Sequence, residues 1–213
     1  METDNIPGAG RVERKKKESR QKIVKVAMDL FKHQGFDSTT MEQIAEKADI
    51  ARKTLYNYFP VKEAIADEYI REISKEFVQE TIDSLRNLPD TRSRLLSVLN
   101  NRYKWVEINS EITKIVLCYR FKNIYQAGKK PEETGTQALM AEIIRQGQQA
   151  GEIKPDISVE LMVMYIDLLR GTMAWEWVND PAKFELREKI AILVDMVLYG
   201  ISLPGQGKGD GQI

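Results

Sequence analysis

The spacing of apolar residues is the feature of this chain that most restricts its fold. Between its Pro and Gly stops, the long segments repeat apolar residues with a period near 3.6, that of an α-helix, and not with the period of 2 typical of a strand. The first such segment carries one apolar stripe, which Gly35 ends. The stripe consists of Ile23, Ala27, Leu30 and Phe31. The pattern predicts an all-α protein of about nine helices.

Proline and glycine positions set the expected limits of these helices. The first is predicted at 19–34, and the second is a helix of about two turns capped by Thr39 or Thr40. The others are predicted at 51–58, 62–87, 93–109, 111–127, 133–150, 158–178 and 184–202. Residues 203–213 include four glycines, so we expect a flexible tail there.

Composition excludes several classes of protein. The chain has 213 residues, of which 42% are hydrophobic and 30% charged, which is typical of a globular protein. No apolar run approaches the roughly 18 residues of a transmembrane helix, and the N-terminus lacks the apolar stretch of a signal peptide. We therefore expect a soluble cytoplasmic protein with no membrane partner.

The sequence contains few of the cysteine and histidine residues that many enzymes use. Cys118 and His33 are the only residues of their types, which leaves no internal disulfide and no zinc site or histidine-based triad. A helical-bundle metal oxidase would need Glu-x-x-His pairs, and Leu30 stands three residues before His33. We expect no enzymatic activity, no metal and no cofactor.

The charges are unevenly distributed although the net charge is zero. Residues 11–63 contain thirteen Lys and Arg against eight Asp and Glu, which gives this segment +5. A basic N-terminal quarter indicates contact with a polyanion. Its most basic part, residues 11–20, has two interpretations. It is either a solvated start to the first helix or an arm that contacts phosphates or enters a minor groove.

The third predicted helix has one apolar face and one polar face. If Ala51, Leu55 and Phe59 face a small core, the side chains between them point away from it. Basic groups donate to guanine or phosphate, and an amide can pair with adenine. Asp49 tolerates the left-handed backbone of a tight turn. A small core alone would need only the apolar half of this pattern, whereas both halves together predict a helix-turn-helix. The outward set is Arg52, Lys53, Tyr56 and Asn57.

Residues 39–59, together with Gly35-Phe36 and Lys62, resemble the DNA-binding domain of TetR-family transcriptional regulators. Thr-Thr, Ile-Ala and Thr-Leu-Tyr-x-Tyr-Phe occur in the family's order and spacing, and the resemblance covers about residues 18–65 closely. Three positions depart from it. Asp49 stands where Gly is frequent, Ala51 where Ser is frequent, and Lys53 where Gly or Pro is frequent.

The resemblance implies roles for individual residues and a domain plan. The resemblance assigns contacts with phosphates to Thr40, Tyr56, Tyr58 and Lys62. The resemblance assigns contacts with bases to Arg52, Lys53, Thr54 and Asn57. The implied plan is a basic arm at 1–18, a helix-turn-helix domain at 19–65, a helical effector-binding and dimerisation domain at 66–202, and the tail at 203–213.

The predicted helix at 158–178 is apolar nearly all the way round, which indicates burial on more than one side. Either the interior of one subunit or a second subunit could cover it. In the resembled family the last two helices pair across a twofold axis, and Gly171 would let two helices approach closely. This surplus of apolar surface, with Met164 and Val197 as interface candidates, favours a homodimer.

Central aromatic residues are the candidate lining of an effector cavity, although any one of them could belong to the core. They are Tyr103, Trp105, Tyr119, Phe121 and Trp175. Cys118 is expected to be a buried small apolar residue, with a redox-sensing thiol as the alternative. His33 is expected to act on the C-terminal dipole of the first helix.

Taken together, these features predict a homodimeric regulator that binds duplex operator DNA. The expected mode is a repressor that a small apolar or aromatic effector releases from a palindromic operator. The alternative is a helical small-molecule sensor or adaptor that acts without DNA. The exposed basic face of the third helix argues against that alternative.

Overall fold

The computed structural model of the protein describes residues 9–127 and 134–200, and side chains within 11–123 and 134–200. The described residues form nine α-helices and no strand. The predicted all-α fold is therefore confirmed. The helices are α1 (Ala9–Gln34), α2 (Met41–Lys47), α3 (Arg52–Tyr58), α4 (Lys62–Leu85), α5 (Thr91–Ile108), α6 (Ser110–Ala127), α7 (Gly135–Gln149), α8 (Val159–Asn179) and α9 (Leu186–Tyr199).

The first helix is longer than predicted. It begins at Ala9, so residues 11–18 are helical where the sequence predicts a flexible arm. Arg, Lys and Glu are good helix formers, and Arg14 forms an ion pair with Glu18 one turn away, with 3.5 Å between the nearest N and O atoms. Residues 1–8 of the predicted arm and the predicted tail at 203–213 lie outside the described residues.

Contacts divide the chain into two compact units, Met1–Glu72 and Ile73–Ile213. The division falls inside α4, seven residues beyond the end predicted for the DNA-binding domain. The first unit buries Leu55 and Phe59 as predicted, but not Ala51, which is exposed. Its buried core includes Ile23, Ala27, Leu30, Phe31, Ile44, Ala45, Leu55 and Phe59.

The second unit has a larger core, built mainly by α5, α7, α8 and α9. A close helix contact holds α4 to α7 at its edge. A Cβ atom on Gly135 would lie 2.6 Å from the carbonyl oxygen of Ser74, so only glycine fits there. The Ser74 and Thr136 hydroxyls are 2.9 Å apart and share a hydrogen bond. Gly135 thus permits the close packing of α4 against α7.

Cys118 on α6 is exposed, contrary to the expectation that it is buried. Val116 faces the core, and a residue two positions along a helix lies on nearly the opposite side. Within 9–127 and 134–200, no helix combines the length and the apolar character needed to cross a membrane.

Candidate functional sites

The turn between α2 and α3 is tight and well supported. Thr40 caps α2: its hydroxyl accepts a hydrogen bond from the Gln43 N–H at 3.2 Å, and the Gln43 side chain accepts one from the Thr40 N–H at 2.9 Å. Asp49 has φ 54°, the left-handed conformation expected from its sequence. The Ile50 N–H then donates to the Ala45 carbonyl at 3.0 Å. Two short helices joined in this way form a helix-turn-helix.

The orientation of α3 agrees with the predicted polar face. Leu55 and Phe59 are buried, which directs the base-facing candidates outward. Ala51 is exposed, contrary to the prediction that it faces the core, because it lies before the first helical turn. Tyr58 is half-buried. The exposed residues are Thr40, Arg52, Lys53, Thr54, Tyr56 and Asn57. Their individual contacts with DNA stay predictions.

Lys62, which is predicted to contact phosphate, forms several hydrogen bonds within the first unit. Its ammonium group donates to the carbonyl oxygens of Phe36, Asp37 and Thr39 at 2.6, 3.3 and 3.1 Å. It also lies 4.4 Å from the centre of the Phe36 ring. Three acceptors occupy the three N–H groups of a lysine. Lys62 therefore fastens the loop between α1 and α2 to the start of α4.

This arrangement predicts a loss of stability when the ammonium group is removed. We expect Lys62→Met to lower the free energy of unfolding by about 1 to 3 kcal/mol, because hydrogen bonds to a charged group are lost. Urea unfolding followed by circular dichroism measures this change. Lys75→Met is the matched control, since Lys75 is exposed on the same helix. Equal effects of the two substitutions would contradict the role given to Lys62.

Arg20 is a second basic residue used inside the first unit. Its guanidinium pairs with Glu68 at 2.9 Å, donates to the Tyr58 carbonyl at 3.4 Å and lies 4.5 Å from the centre of the Phe59 ring. These contacts join α1 to the end of α3 and to α4. The sequence includes Arg20 only in a basic segment, and its spacing gives no signal of this role.

The N-terminus of α3 lacks a side-chain cap. Ala51 has the extended conformation of an N-cap, but no side-chain hydrogen bond closes the helix. We expect Ala51→Ser to raise the free energy of unfolding by about 1 kcal/mol, because a Ser hydroxyl can accept from a free N–H of the first turn. Thermal unfolding measures the gain. Ala51→Val, which adds no acceptor, should show none, and an equal gain would contradict capping as its cause.

The five aromatic effector candidates do not form a single cavity lining. Tyr103 belongs to the core: it is buried, and its hydroxyl donates to the Arg170 carbonyl at 2.6 Å. Burial raises the pKa of the Tyr103 phenol. Phe121 and Trp175 pack edge to face, with their ring centres 6.0 Å apart. Trp105 and Tyr119 are half-buried.

A cluster of charged side chains, one buried and the others half-buried, lies beside these aromatics and is not predicted from the sequence. Arg170 pairs with Asp167, and Gln137 donates to the same carboxylate at 2.9 Å. Burial is the largest influence on the pKa of Asp167 and acts to raise it, but the charge and hydrogen bond of Arg170, together with Arg120 and Gln137, outweigh burial and lower that pKa. Arg102 and Arg120 are close enough to interact electrostatically with this pair. We call Arg102, Arg120, Asp167 and Arg170 the arginine cluster.

Two apolar grooves open on the second unit. One, of about 450 Å³, lies between α8 and α9. The other, of about 560 Å³, lies between α4, α5 and α7. None of the five aromatic candidates lines either groove. The groove beside α4 is lined partly by Ile82, Leu85, Leu139, Ile143, Arg86 and Arg94.

The last two helices expose much of their apolar surface in the single chain. Met164 is 54% exposed and Ile192 is 58% exposed. The interior of one subunit therefore does not cover α8 on all sides. Val197 packs partly against the core, so it is a poorer interface candidate than predicted. Further exposed apolar residues of this surface are Leu161, Tyr165, Leu168, Met196 and Tyr199.

Comparison with known proteins identifies the first unit. Residues 23–69 match the model of the family described as "Bacterial regulatory proteins, tetR family". The fatty acid metabolism regulator protein of Bacillus subtilis is 20% identical over 190 residues, which are 88% of this chain and 98% of that protein. The transcriptional repressor KstR2 of Rhodococcus jostii is 24% identical over 196 residues, covering 87% and 92% of the two chains.

Solved structures of other proteins have a similar fold over most of this chain. FadR of Thermus thermophilus, described as a transcriptional repressor in complex with lauroyl-CoA, is 22% identical with a TM-score of 0.72 over 90% of this chain and all of the other. FadR of Bacillus subtilis, in complex with stearoyl-CoA, is 20% identical with a TM-score of 0.59 over 85% of this chain and 99% of that one. The helical second unit thus shares its fold with regulators of known structure.

Proposed function

Because the chain belongs to the TetR family of DNA-binding transcriptional regulators, we propose that it is a homodimeric repressor of a palindromic operator. A small effector with an apolar body releases it from the DNA. The observation that carries this proposal is the α3 face, where exposed basic, hydroxyl and amide side chains follow a tight turn. An α-helix bearing such a face fits the major groove.

Homodimer formation is supported by the apolar surface of α8 and α9. This surface includes several large side chains that water contacts in the single chain, such as Met164 and Ile192. Contiguous exposed apolar surface of this kind marks an interaction site. A twofold partner would bury the same surface on both subunits and would present two α3 helices to the two halves of a palindrome.

An apolar effector is supported by the second unit and by relatives. The groove beside α4 and the half-buried rings of Trp105, Phe121 and Trp175 offer apolar contacts. The two FadR structures are complexes with acyl-CoA molecules, whose acyl chains are apolar. We therefore expect an effector that carries an aliphatic chain or an aromatic ring.

The proposed coupling runs through α4, which belongs to both units. Two α3 helices must lie about 34 to 36 Å apart to enter successive major grooves on one face of DNA. An effector that binds against the second half of α4 would move the first half and change this spacing. By linkage, DNA binding weakens by the difference in effector affinity between the two states, typically about 1 to 3 kcal/mol.

The proposal is tested by fluorescence anisotropy with labelled duplexes from the promoter regions nearest the gene. We expect one duplex to bind tightly, with an affinity that falls steeply as salt rises, because phosphate contacts release counterions. Octanoate, which carries an aliphatic chain, should release the DNA when it is added to the complex. If no duplex binds at low salt while octanoate still binds the protein, the sensor without DNA binding is the better description.

A further inference from the structure

The arginine cluster brings three arginines close to one acidic residue. Arg102, Arg120 and Arg170 interact electrostatically around Asp167. The four side chains come from α5, α6 and α8, all within the second unit. Asp167 pairs with Arg170, and Arg120 has a partner of its own.

Arg102 is the member of the cluster that lacks an acceptor. It is only 7% exposed, and it forms no hydrogen bond or ion pair with the described part of the chain. The Trp105 ring covers one face of its guanidinium, with 4.8 Å between the central carbon and the ring centre. Stacking leaves the N–H groups at the edge of the guanidinium free. The Nε atom of Arg170 is also buried without a partner.

A largely buried guanidinium without an acceptor is unfavourable, and this favours the binding of an anion. Burial and the charges of Arg170 and Arg120 lower the pKa of Arg102 to about 9. The group therefore stays protonated at neutral pH and cannot relieve the cost by losing its proton. In a unit that binds an effector, the simplest source of the missing negative charge is the effector itself.

We infer that the effector carries a carboxylate, which pairs with the edge of the Arg102 guanidinium. Arginine binds a carboxylate through two parallel N–H···O hydrogen bonds, a geometry that fits a planar group with two oxygens. The half-buried Trp105 next to it would contact the apolar part of the same molecule. This inference rests on the proposed function, because it assigns the effector a site in the second unit.

The test compares octanoate with octanamide, which has the same chain and no charge. Isothermal titration calorimetry at constant ionic strength should show wild-type protein binding octanoate at least tenfold more tightly than octanamide. Arg102→Met should remove this preference, and Arg102→Lys should keep part of it, since it retains the charge but not the paired N–H groups. Lys104→Met is the matched control, because Lys104 is exposed on the same helix.

Stability of the ligand-free protein gives a second measurement. Arg102→Met should raise the melting temperature, because it removes a buried charge that has no acceptor. A lower melting temperature would mean that the charge is satisfied within the chain, and it would overturn the inference.

The remaining outcomes separate this inference from the proposed function. The inference is also overturned if wild-type protein does not bind octanoate below its micelle-forming range, or binds the two ligands equally. If the preference is present and Arg102→Met removes it, but octanoate leaves operator affinity unchanged, the carboxylate site stands and the effector role fails.

Discussion

Alanine at both Arg52 and Lys53 is expected to lower operator affinity roughly a hundredfold or more, since a contact with a base contributes about 1 to 3 kcal/mol and each residue occurs twice in a dimer. Both side chains are exposed at the start of α3. Arg52 forms an ion pair with Glu42 at 3.9 Å, which is exposed and contributes little to stability.

The same substitution should leave the melting temperature unchanged or slightly raised. Arg52 and Lys53 stand in the first turn of α3, where the helix dipole disfavours positive charge, and no acidic residue accompanies them. Positive charges at the start of a helix lower its stability. Where they bring no structural benefit, they are typical of a functional surface. Thermal unfolding and fluorescence anisotropy on the same preparation separate stability from binding.

A double substitution elsewhere controls for net charge. Lys75→Ala with Lys104→Ala removes the same charge from exposed positions on α4 and α5. This control should lower affinity only modestly, through the general electrostatic field. An equal loss in both double variants would show that α3 does not read the DNA.

Aspartate at Met164 is expected to convert the protein into monomers and to lower operator affinity roughly a thousandfold or more. Twofold symmetry places the new charge in the interface twice, and burying an unpaired charge costs several kcal/mol each time. A monomer also contacts only half of a palindrome, so it loses the advantage of binding two linked half-sites. Met164 is 54% exposed in the single chain, so its substitution should leave the subunit folded.

Light scattering and anisotropy measure the two effects of Met164→Asp. The control is Ile108→Asp, which introduces the same charge at an exposed apolar residue of α5 that is not part of α8 or α9. It should remain dimeric and bind the operator normally. Dimers of Met164→Asp, or a wild-type protein that is monomeric at micromolar concentration, would contradict the proposed interface.

Sequence patterns predict the local features of the DNA-binding unit well. Leu55 and Phe59 are one turn apart, so their burial fixes the direction of the whole α3 face. The left-handed Asp49 is likewise predicted from the intrinsic preference of its own residue type. Features that depend on neighbours along one short helix or turn are therefore accessible without a structure.

Contacts between distant parts of the chain are what the sequence does not reveal. Lys62 donates to carbonyls 23 to 26 residues away, and Arg20 pairs with a carboxylate 48 residues away. Both residues look like solvent-exposed or phosphate-binding cations from their neighbours alone. Tyr103 matches the aromatic spacing of a pocket, yet its hydroxyl bonds to a backbone carbonyl 67 residues away, which places it in the core.

The arginine cluster is hidden from the sequence for the same reason. Its members occur on three helices, at positions that no common motif joins. Single arginines in amphipathic helices are ordinarily solvated, so each one alone suggests a surface residue. Only the packing of α5, α6 and α8 shows that Arg102 is buried without an acceptor.

The close contact between Ser74 and Gly135 has a mechanical consequence for α4. It fixes the helix near its midpoint, with about 18 Å of helix before it to Lys62 and about 16 Å after it to Leu85, at 1.5 Å per residue. Within the second unit, this contact lies at the start of the part of α4 that ends at Leu85, so a push on the Leu85 end would turn that part of the helix about the contact. A larger residue at position 135 would separate α4 from α7 and displace this point.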